Sequence, residues 1–372
     1  MTDLHQARPG LAALETPTGT GDGAAKATRR ERMNYLTCIT QDTVTLAEIQ
    51  PPKAGPGEIV VRLAMCGICG TDTAKVFGAY PKPQKLGHEV VGTVHELGQG
   101  VSKFAQGQRV ALAHHVPDYA THYARRGSET MDALFKRSNI DPGGFAELIR
   151  IPVLHVNNTV FAIPDHMPMD RAVFMEPMAC CLRALDRVSL IEGDSCLVVG
   201  AGAVGMLFVP LLRDRAVTTV IADMRAERIE LAQAWGAAAG GVPGTDDVAA
   251  ICKGASAGRG VDCVVLTVVT AATVQLAMDA VRDGGTIVIF GGKPGTELTM
   301  PMWDIWVREI NLVSSYSATP DGLRRAMAIL SGRTYEGLER LISHRMPLAE
   351  AQAAFEVVQK GAASKVVIVP GN

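Results

Sequence analysis

Two short segments of the chain contain residue types that can bind a metal ion. The first reads CGICGTD at residues 66–72, and the second reads GHE at residues 87–89. A cysteine thiolate and a histidine imidazole are both good ligands for Zn²⁺, and a catalytic zinc site uses three protein ligands and keeps one position open. Cysteine and histidine at this separation are by themselves more often unrelated core residues, so the other motifs of the chain have to decide.

A glycine-rich segment, GAGAVG at residues 200–205, follows the apolar run CLVVG and opens a helical pattern. Its glycines permit a tight turn and let the backbone approach a pyrophosphate at a helix N-terminus. Asp223 ends the next apolar run, where a carboxylate accepts hydrogen bonds from the adenosine ribose, and this favours NAD over NADP. Arg225 leaves NADP open, because an arginine beside this strand can bind a 2′-phosphate. The predicted cofactor-binding residues are Gly200, Gly202, Ala203, Val204, Gly205, Asp223 and Arg228.

The secondary structure predicted around these motifs differs between the first and second halves of the chain. From Met33 to about Ala113, short β-rich runs alternate with Gly and Pro, and residues 114–142 are polar and irregular. The segment DRAVFMEPMACCLRALDRV, residues 170–188, then predicts one helix. From Ser195 onward, short apolar runs alternate with helical patterns, which predicts a parallel sheet with helices on both faces. The closing segments AEAQAAFEVVQKG and KVVIVP predict a helix and a strand that rejoin the first domain.

Composition excludes several classes of function. A chain of 372 residues, 47% apolar and 20% charged, is long enough for two domains. A net charge of −2 without a basic stripe argues against nucleic-acid binding, and the lack of a long apolar run argues against a membrane span. Residues 1–32 have no apolar signal core and are interpreted as a disordered tail. The eight cysteines are expected to be reduced thiols, which predicts a cytoplasmic protein.

The motifs CGICGTD, GHEVVGTV, DPGGFAEL, FMEPMACCLRAL, GAGAVG and SKVVIV together resemble the zinc-containing medium-chain dehydrogenase family, in particular its sorbitol/threonine dehydrogenase branch. The resemblance implies an α/β fold in which a GroES-like β-rich catalytic domain, 33–187 completed by 320–372, adjoins a Rossmann NAD-binding domain, 188–319. It implies hydride transfer between NAD and a small secondary alcohol, such as a polyol or cyclitol, or the corresponding ketone. It also implies a homo-oligomer, either a dimer or a tetramer.

The resemblance assigns the metal ligands residue by residue. Cys69 matches the thiolate ligand and His88 the imidazole ligand, while Glu176 matches an acid that replaces a cysteine in the polyol branch. Glu89 follows His88 and in such enzymes approaches the metal or exchanges onto it. One catalytic zinc per chain would lower the pKa of a bound alcohol, and the alkoxide would pass hydride to the nicotinamide. The cysteines interpreted as packing residues are Cys66, Cys180 and Cys181.

The resemblance also implies catalytic roles near these ligands. Thr71 matches the hydroxyl that bonds the substrate oxygen and takes its proton, and Asp72 matches the carboxylate that orients His88. Many relatives have a histidine three residues after the hydroxyl, and this chain has Ala74, so the usual proton relay is altered. Lys365 occupies a basic position that in relatives can reach the cofactor phosphates.

A second difference from the family concerns its structural zinc lobe. Relatives have four cysteines there, and this chain has Asp118, Thr121, Ala124 and Asp132 at the corresponding positions. These side chains cannot form a closed tetrahedral thiolate site, so no structural zinc is expected. The neighbouring histidines are interpreted as polar loop residues rather than ligands, and they are His114, His115 and His122.

Two other functions remain open at this point. One is a zinc-free medium-chain reductase, which is disfavoured because Cys69, His88 and Glu176 are all present. The other is a non-catalytic nucleotide-binding protein on the same fold, since fold alone does not define function. Trp303 and Trp306 are interpreted as core or subunit-interface residues.

Overall fold

The computed structural model describes residues 32–371. The tail predicted at residues 1–32 lies outside the described residues, apart from Arg32. Within the described chain, the strands form one sheet of three strands, one of six and one of seven. None of the helices in this part of the chain combines the length and the apolar character needed to cross a membrane.

The strands and helices follow one another along the whole described chain. The strands are β1 (Met33–Cys38), β2 (Thr45–Ile49), β3 (Ile59–Gly67), β4 (Gln84–Lys85), β5 (Glu89–Leu97), β6 (Arg109–Leu112), β7 (Leu148–Ile151), β8 (Val160–Ala162), β9 (Ser195–Val199), β10 (Thr218–Ala222), β11 (Ala239–Gly241), β12 (Val261–Leu266), β13 (Val281–Ile289), β14 (Asn311–Ser314), β15 (Ile342–Pro347) and β16 (Lys365–Val369). The α-helices are α1 (Gly70–Phe77), α2 (His122–Arg125), α3 (Ala133–Arg137), α4 (Val153–Asn158), α5 (Met169–Ala172), α6 (Met175–Leu185), α7 (Ala203–Arg213), α8 (Ala226–Ala234), α9 (Val248–Gly254), α10 (Ala271–Ala280), α11 (Met302–Val307), α12 (Pro320–Leu330) and α13 (Ala351–Gln359). Short 3-10 helices cover Glu129–Met131, Arg333–Tyr335, Leu338–Leu341 and Leu348–Glu350.

The six-stranded sheet is parallel, in the order β11-β10-β9-β12-β13-β14. Counted along the chain, this is the order 3-2-1-4-5-6 of a Rossmann sheet. The central strands β9 and β12 are buried at every residue. Because helices cover both faces of such a sheet, its strands appear in the sequence as continuous apolar runs rather than alternating ones. The predicted α/β class and the parallel sheet are confirmed.

The seven-stranded sheet joins distant parts of the sequence. Its order is β15-β16-β3-β5-β6-β8, and β7 pairs with β3. The C-terminal strand β16 is antiparallel to β3 and parallel to β15. The end of the chain therefore lies beside one of its first strands, although the domain limits 33–187 with 320–372, and 188–319, stay a prediction.

The segment expected to form one helix over residues 170–188 forms two, α5 and α6, separated at Val173 and Phe174. Pro177 explains the interruption, because it has no N–H to donate to the carbonyl of Val173 and its ring would clash there in a continuous helix. The expectation of a single helix was wrong for this reason.

Helix α6 is the element that connects the two large sheets. It is buried along most of its length. Its apolar side chains belong to one core cluster that also contains Val91 of β5, Val265 of β12 and Leu207 of α7. A side chain on α6 is therefore held in a fixed position between the sheets.

Residues 114–142, which we call the lobe, contain α2, the 3-10 helix Glu129–Met131 and α3. Asp132 is buried there, and its Oδ1 accepts hydrogen bonds from the backbone N–H groups of Asp118 (3.1 Å), Leu134 (2.8 Å) and Phe135 (3.1 Å). Thr121 Oγ1 accepts from Ala124 N at 3.3 Å. Side chains at the predicted positions thus cap short helices. The expectation of no structural zinc stays a prediction.

Asp132→Ala is expected to lower the free energy of unfolding by about 1–2 kcal/mol, the usual cost of losing a helix cap. Burial alone would raise the pKa of Asp132, but the hydrogen bonds that it accepts outweigh burial and lower that pKa. The contribution of the Asp132 carboxylate to the free energy of unfolding is therefore complete above the usual pKa of about 3.9. It is lost as the pH falls through the lowered pKa. Urea denaturation at pH 7 measures the loss. The control is Asp118→Ala, an exposed carboxylate with one local hydrogen bond, and an equal loss in both variants would contradict the prediction.

Candidate active site

Three predicted ligands come together at the start of β5 and the start of α1. One ligand atom each of Cys69, His88 and Glu89 lies within 4.8 Å of the other two. Cys69 is the N-cap of α1, while His88 and Glu89 are buried where β5 begins. The sheet and the helix therefore hold a thiol, an imidazole and a carboxylate in one place.

The carboxylate of Asp72, which is expected from the sequence to orient His88, lies next to this group. This carboxylate is fully buried, and Oδ2 lies 3.5 Å from His88 Nδ1. Oδ1 accepts from Gly87 N at 3.0 Å, and Oδ2 accepts from Cys69 N at 3.2 Å. Burial would raise the pKa of Asp72, but the neighbouring His88 outweighs burial and lowers that pKa to about 2. A charged Asp72 therefore connects the segments that carry both ligands.

Lys365 lies at the same cluster, which corrects the expectation that it reaches the cofactor phosphates. Its ammonium forms a buried ion pair with the carboxylate of Glu89 and donates to Ile68 O at 3.2 Å. Burial would lower the pKa of Lys365, but the charge of Glu89 outweighs burial and raises that pKa. A buried ammonium requires a partner of opposite charge, and the partner here comes from β5.

Glu176 is placed by α6 and faces the cavity that Cys69 and His88 also line. It is not one of the three residues whose ligand atoms lie within 4.8 Å of one another. Burial raises the pKa of Glu176. Cys180 is one helical turn further on, and its thiol donates to Glu176 Oε1 at 3.3 Å. Cys180 thus lines the cavity, although the sequence suggested a packing residue, whereas Cys66 and Cys181 are buried in the core.

Two of the histidines interpreted as polar loop residues, His114 and His115, lie next to His88. His114 is buried, with its ring centroid 4.7 Å from that of His88 and 3.5 Å from that of His115. Burial lowers the pKa of His114 and lowers the pKa of His115 to about 4. Both rings are therefore neutral at pH 7. His115 Nδ1 lies 2.8 Å from Ser138 O, which connects the ring to the end of α3.

The glycine-rich turn is closely packed against the start of α7. Gly200 has a φ of +99°, which a residue with a side chain rarely adopts. A Cβ on Gly205 would lie 1.7 Å from the carbonyl oxygen of Gly200, so only glycine allows α7 to pack this closely. Gly202 is the N-cap of α7, and Ala203 begins the helix. The N–H groups at the start of α7 are thus available to an anion.

Asp223 lies beside this turn at the end of β10. Its Oδ2 accepts from Ala201 N at 2.7 Å, and its Oδ1 accepts from Arg225 N at 3.0 Å. Arg228 Nη1 is 3.7 Å from Asp223 Oδ2, while Arg228 Nη2 donates to Gly361 O at 2.9 Å. The acid and both arginines are therefore grouped beside the glycine-rich turn.

A cavity of about 570 Å³ lies beside the ligand cluster and reaches the start of α7. Thr71 lines it beside the ligand cluster, and Val204 lines it at the start of α7. Several lining residues were not expected from the sequence, because they come from the irregular lobe and from the segment after β14. These are Lys136, Arg137, Ser138, Asn139 and Tyr316.

Two family models match the chain. Residues 55–165 match the alcohol dehydrogenase GroES-like domain, and residues 203–332 match the zinc-binding dehydrogenase domain. The chain is 29% identical over 325 residues to an alcohol dehydrogenase of Geobacillus stearothermophilus, covering 84% of this chain and 92% of that protein. It is 29% identical over 331 residues to sorbitol dehydrogenase of Mus musculus, covering 85% and 90%.

A similar solved structure is a candidate zinc-binding dehydrogenase from Sinorhizobium meliloti 1021 bound to NADP. It aligns with a TM-score of 0.82 and 29% identity, over 91% of this chain and 99% of that one. The likeness thus extends over most of the chain.

Proposed function

Because this chain belongs to the zinc-containing medium-chain dehydrogenase family, in the sorbitol/threonine dehydrogenase-like branch, we propose that it transfers a hydride between a secondary alcohol and NAD with one catalytic zinc. The observation that carries the proposal is the group Cys69, His88 and Glu89. Cys69 and His88 of this group line a cavity that also reaches Val204 at the start of α7. A polyol or a similar secondary alcohol is the proposed substrate, in line with the sorbitol dehydrogenase relative.

The donor set fits a zinc ion. Thiolate, imidazole and carboxylate are all ordinary zinc ligands, and one ligand atom each of Cys69, His88 and Glu89 lies within 4.8 Å of the other two. Cys69, His88 and Glu176 would hold the metal, and Glu89 would approach it from beside His88. When bound, zinc supplies the Lewis acidity that lowers the pKa of a coordinated alcohol.

The chain's own residues then handle the proton and the orientation of the ligands. Thr71 is exposed on the cavity wall, where its hydroxyl accepts the proton of the alcohol. Asp72 holds the ring of His88 in place. The hydroxyl of Thr73 is already bonded to Gly70 O at 2.7 Å, and Ala74 has no imidazole. Neither residue continues a proton relay from Thr71, so the proton would leave its hydroxyl through water.

The experiment that tests the proposal combines zinc analysis with an NAD-reduction assay. Elemental mass spectrometry of purified protein should find one zinc per chain, and a panel of polyols should show turnover that is lost on chelation and restored by zinc. Two zincs per chain would show that the lobe does bind metal. Double-bond reduction without zinc would favour the zinc-free reductase, and NAD binding without metal or turnover would favour a non-catalytic protein.

NAD is the proposed cofactor because Asp223 presents a negative charge where NADP has its 2′-phosphate. Asp223→Ser should lower kcat/KM for NAD by about tenfold, the effect of losing one charge-assisted hydrogen bond. It should raise kcat/KM for NADP, because Arg225 and Arg228 remain. The values of kcat/KM for NAD and for NADP are measured with one alcohol at a saturating concentration. The control is Glu230→Ser, an exposed acid on α8, and an unchanged NAD/NADP ratio in Asp223→Ser would refute the assignment.

We also propose a homo-oligomer. Trp303 and Trp306 of α11 are 69% and 70% exposed, and β14 beside them is an edge strand of the parallel sheet. An exposed apolar patch next to an open edge is typical of a subunit interface. Light scattering during gel filtration measures the mass, and a monomer at micromolar concentration would contradict the proposal.

The eight free cysteines support a cytoplasmic location.

A further inference from the structure

The cavity has two walls of different chemistry. One wall comes from the nucleotide-binding sheet and includes Val204, Phe290 and Gly291, which lie after β9 and β13. Dinucleotides bind at this end of a parallel sheet, so this wall is reserved for the cofactor. The other wall comes from α1, β4 and the lobe. A substrate that reaches the zinc ligands must therefore contact the second wall.

The second wall is strongly cationic. It carries Lys75, Lys85, Lys136 and Arg137. Lys85 pairs with Asp141 at 2.9 Å, but the other three have no carboxylate oxygen within 4.0 Å among the described residues. Within that part of the chain, Glu176 is the one acid that lines the cavity, and it is assigned to the metal. Three positive charges on this wall thus lack a protein partner.

Hydrogen bonds fix these cations relative to the ligand cluster. Lys75 Nζ donates to Lys85 O at 3.2 Å, which ties α1 to β4. At the end of α3, Ser138 Oγ accepts from Val116 N at 3.0 Å, and Ser138 O contacts the ring of His115. The ring of His115 is stacked on His114, whose ring faces His88. The end of α3 is therefore held at a set position beside the predicted zinc ligands.

The helix dipole offers an alternative reason for part of this pattern. Lys136 and Arg137 lie in the last turn of α3, where cations are favoured. This explanation does not cover Lys75, which comes from a different helix, nor does it explain why all three line one cavity. Like charges on one wall repel each other unless an anion lies between them.

We propose that the alcohol substrate carries an anionic group, a phosphate ester or a carboxylate, which binds to Lys75, Lys136 and Arg137 while its hydroxyl faces the zinc ligands. This inference rests on the proposed dehydrogenase function and adds the class of alcohol. Arginine binds such groups through two parallel hydrogen bonds, and lysine binds them as a point charge. The cavity of about 570 Å³ is within the range of small-molecule sites.

The test uses matched sets of substrates with the zinc-loaded protein and NAD. Each set contains a neutral polyol, its phosphate monoester and its aldonate, for example sorbitol, sorbitol 6-phosphate and gluconate. One anionic member should have at least about a tenfold higher kcat/KM than the neutral one, mainly through KM, and its KM should rise with salt. The better anionic member identifies phosphate or carboxylate as the recognised group.

Two variants test the residues themselves. Lys136→Gln and Arg137→Gln should each lower kcat/KM for the anionic substrate by about tenfold more than kcat/KM for the neutral polyol. The matched control is Arg126→Gln, an exposed arginine of the same lobe that does not line the cavity. Neutral polyols that react as well as their anionic partners, or a preference that persists in both variants, would overturn the inference while the dehydrogenase function stands.

If no alcohol is oxidised, the proposed function fails, and binding alone decides the inference. Calorimetric titration of the zinc-loaded protein with NAD and the phosphate monoester or aldonate should then show binding that the neutral polyol lacks and that both variants weaken. Equal binding of neutral and anionic compounds, or no binding of the anions, would overturn it.

Discussion

Replacing Cys69 by alanine is expected to remove both the zinc and the alcohol-oxidising activity of the protein. Cys69 supplies the one sulfur among the proposed ligands, and without its thiolate the remaining ligands, His88 and Glu176, are too small a set for a tight zinc site even with Glu89 nearby. Losing the Lewis acid should lower kcat by about a thousandfold or more. Zinc content by elemental mass spectrometry and initial rates of NADH formation measure the two losses.

The matched control is Cys66→Ala, which changes the other cysteine of the same CGICG segment. Cys66 is fully buried, and burial raises the pKa of its thiol well above the usual value. A neutral core thiol should be replaced without loss of zinc. If Cys66→Ala lost the metal and Cys69→Ala kept it, the assignment of the ligand would be wrong.

Lys365→Met is expected to lower the free energy of unfolding by about 3–5 kcal/mol, the largest stability effect that we predict for a single residue. The methionine fills a similar volume but leaves the carboxylate of Glu89 buried without its cation. Removing one partner of a buried pair costs more than removing both, so adding Glu89→Met should recover much of the loss. Urea denaturation in the presence of a chelator measures these energies without a contribution from zinc.

Lys360→Met provides the comparison for an exposed pair. Lys360 Nζ lies 3.8 Å from Oε2 of Glu356 on α13, and the lysine side chain is 72% exposed. Such exposed pairs contribute less than about 0.5 kcal/mol to the free energy of unfolding. A loss of similar size in Lys360→Met and Lys365→Met would show that burial of the Lys365–Glu89 pair has no special importance.

The features that were predictable from sequence depend on local spacing. The turn at Gly200–Gly205 and the acid at Asp223 are set by a few residues and by the strand before them, and the parallel sheet follows from apolar runs that alternate with helices. Cys69 and His88 were found through motifs, and the structure places them within reach of each other. Their role as ligands stays a prediction.

The features that were not predictable depend on contacts between distant segments. Lys365 and Glu89 are almost 280 residues apart in sequence, and only the pairing of β16 with β3 next to β5 brings them together. The cationic wall combines α1, β4 and the lobe, and no periodic pattern marks it. The interruption between α5 and α6 is an exception, because Pro177 was visible in the sequence and signalled it.

The position of β16 also determines the order in which the site can form during protein synthesis. Strands β3 and β5 leave the ribosome early, but their neighbour β16, with Lys365 at its first residue, is translated much later. At about 5–20 residues per second, some 15–60 seconds separate the two events. The parallel sheet, which is continuous in sequence, can fold in that interval. The buried carboxylate of Glu89 has no ammonium partner until β16 has left the ribosome, so this site is completed much later than the strands that carry most of its residues.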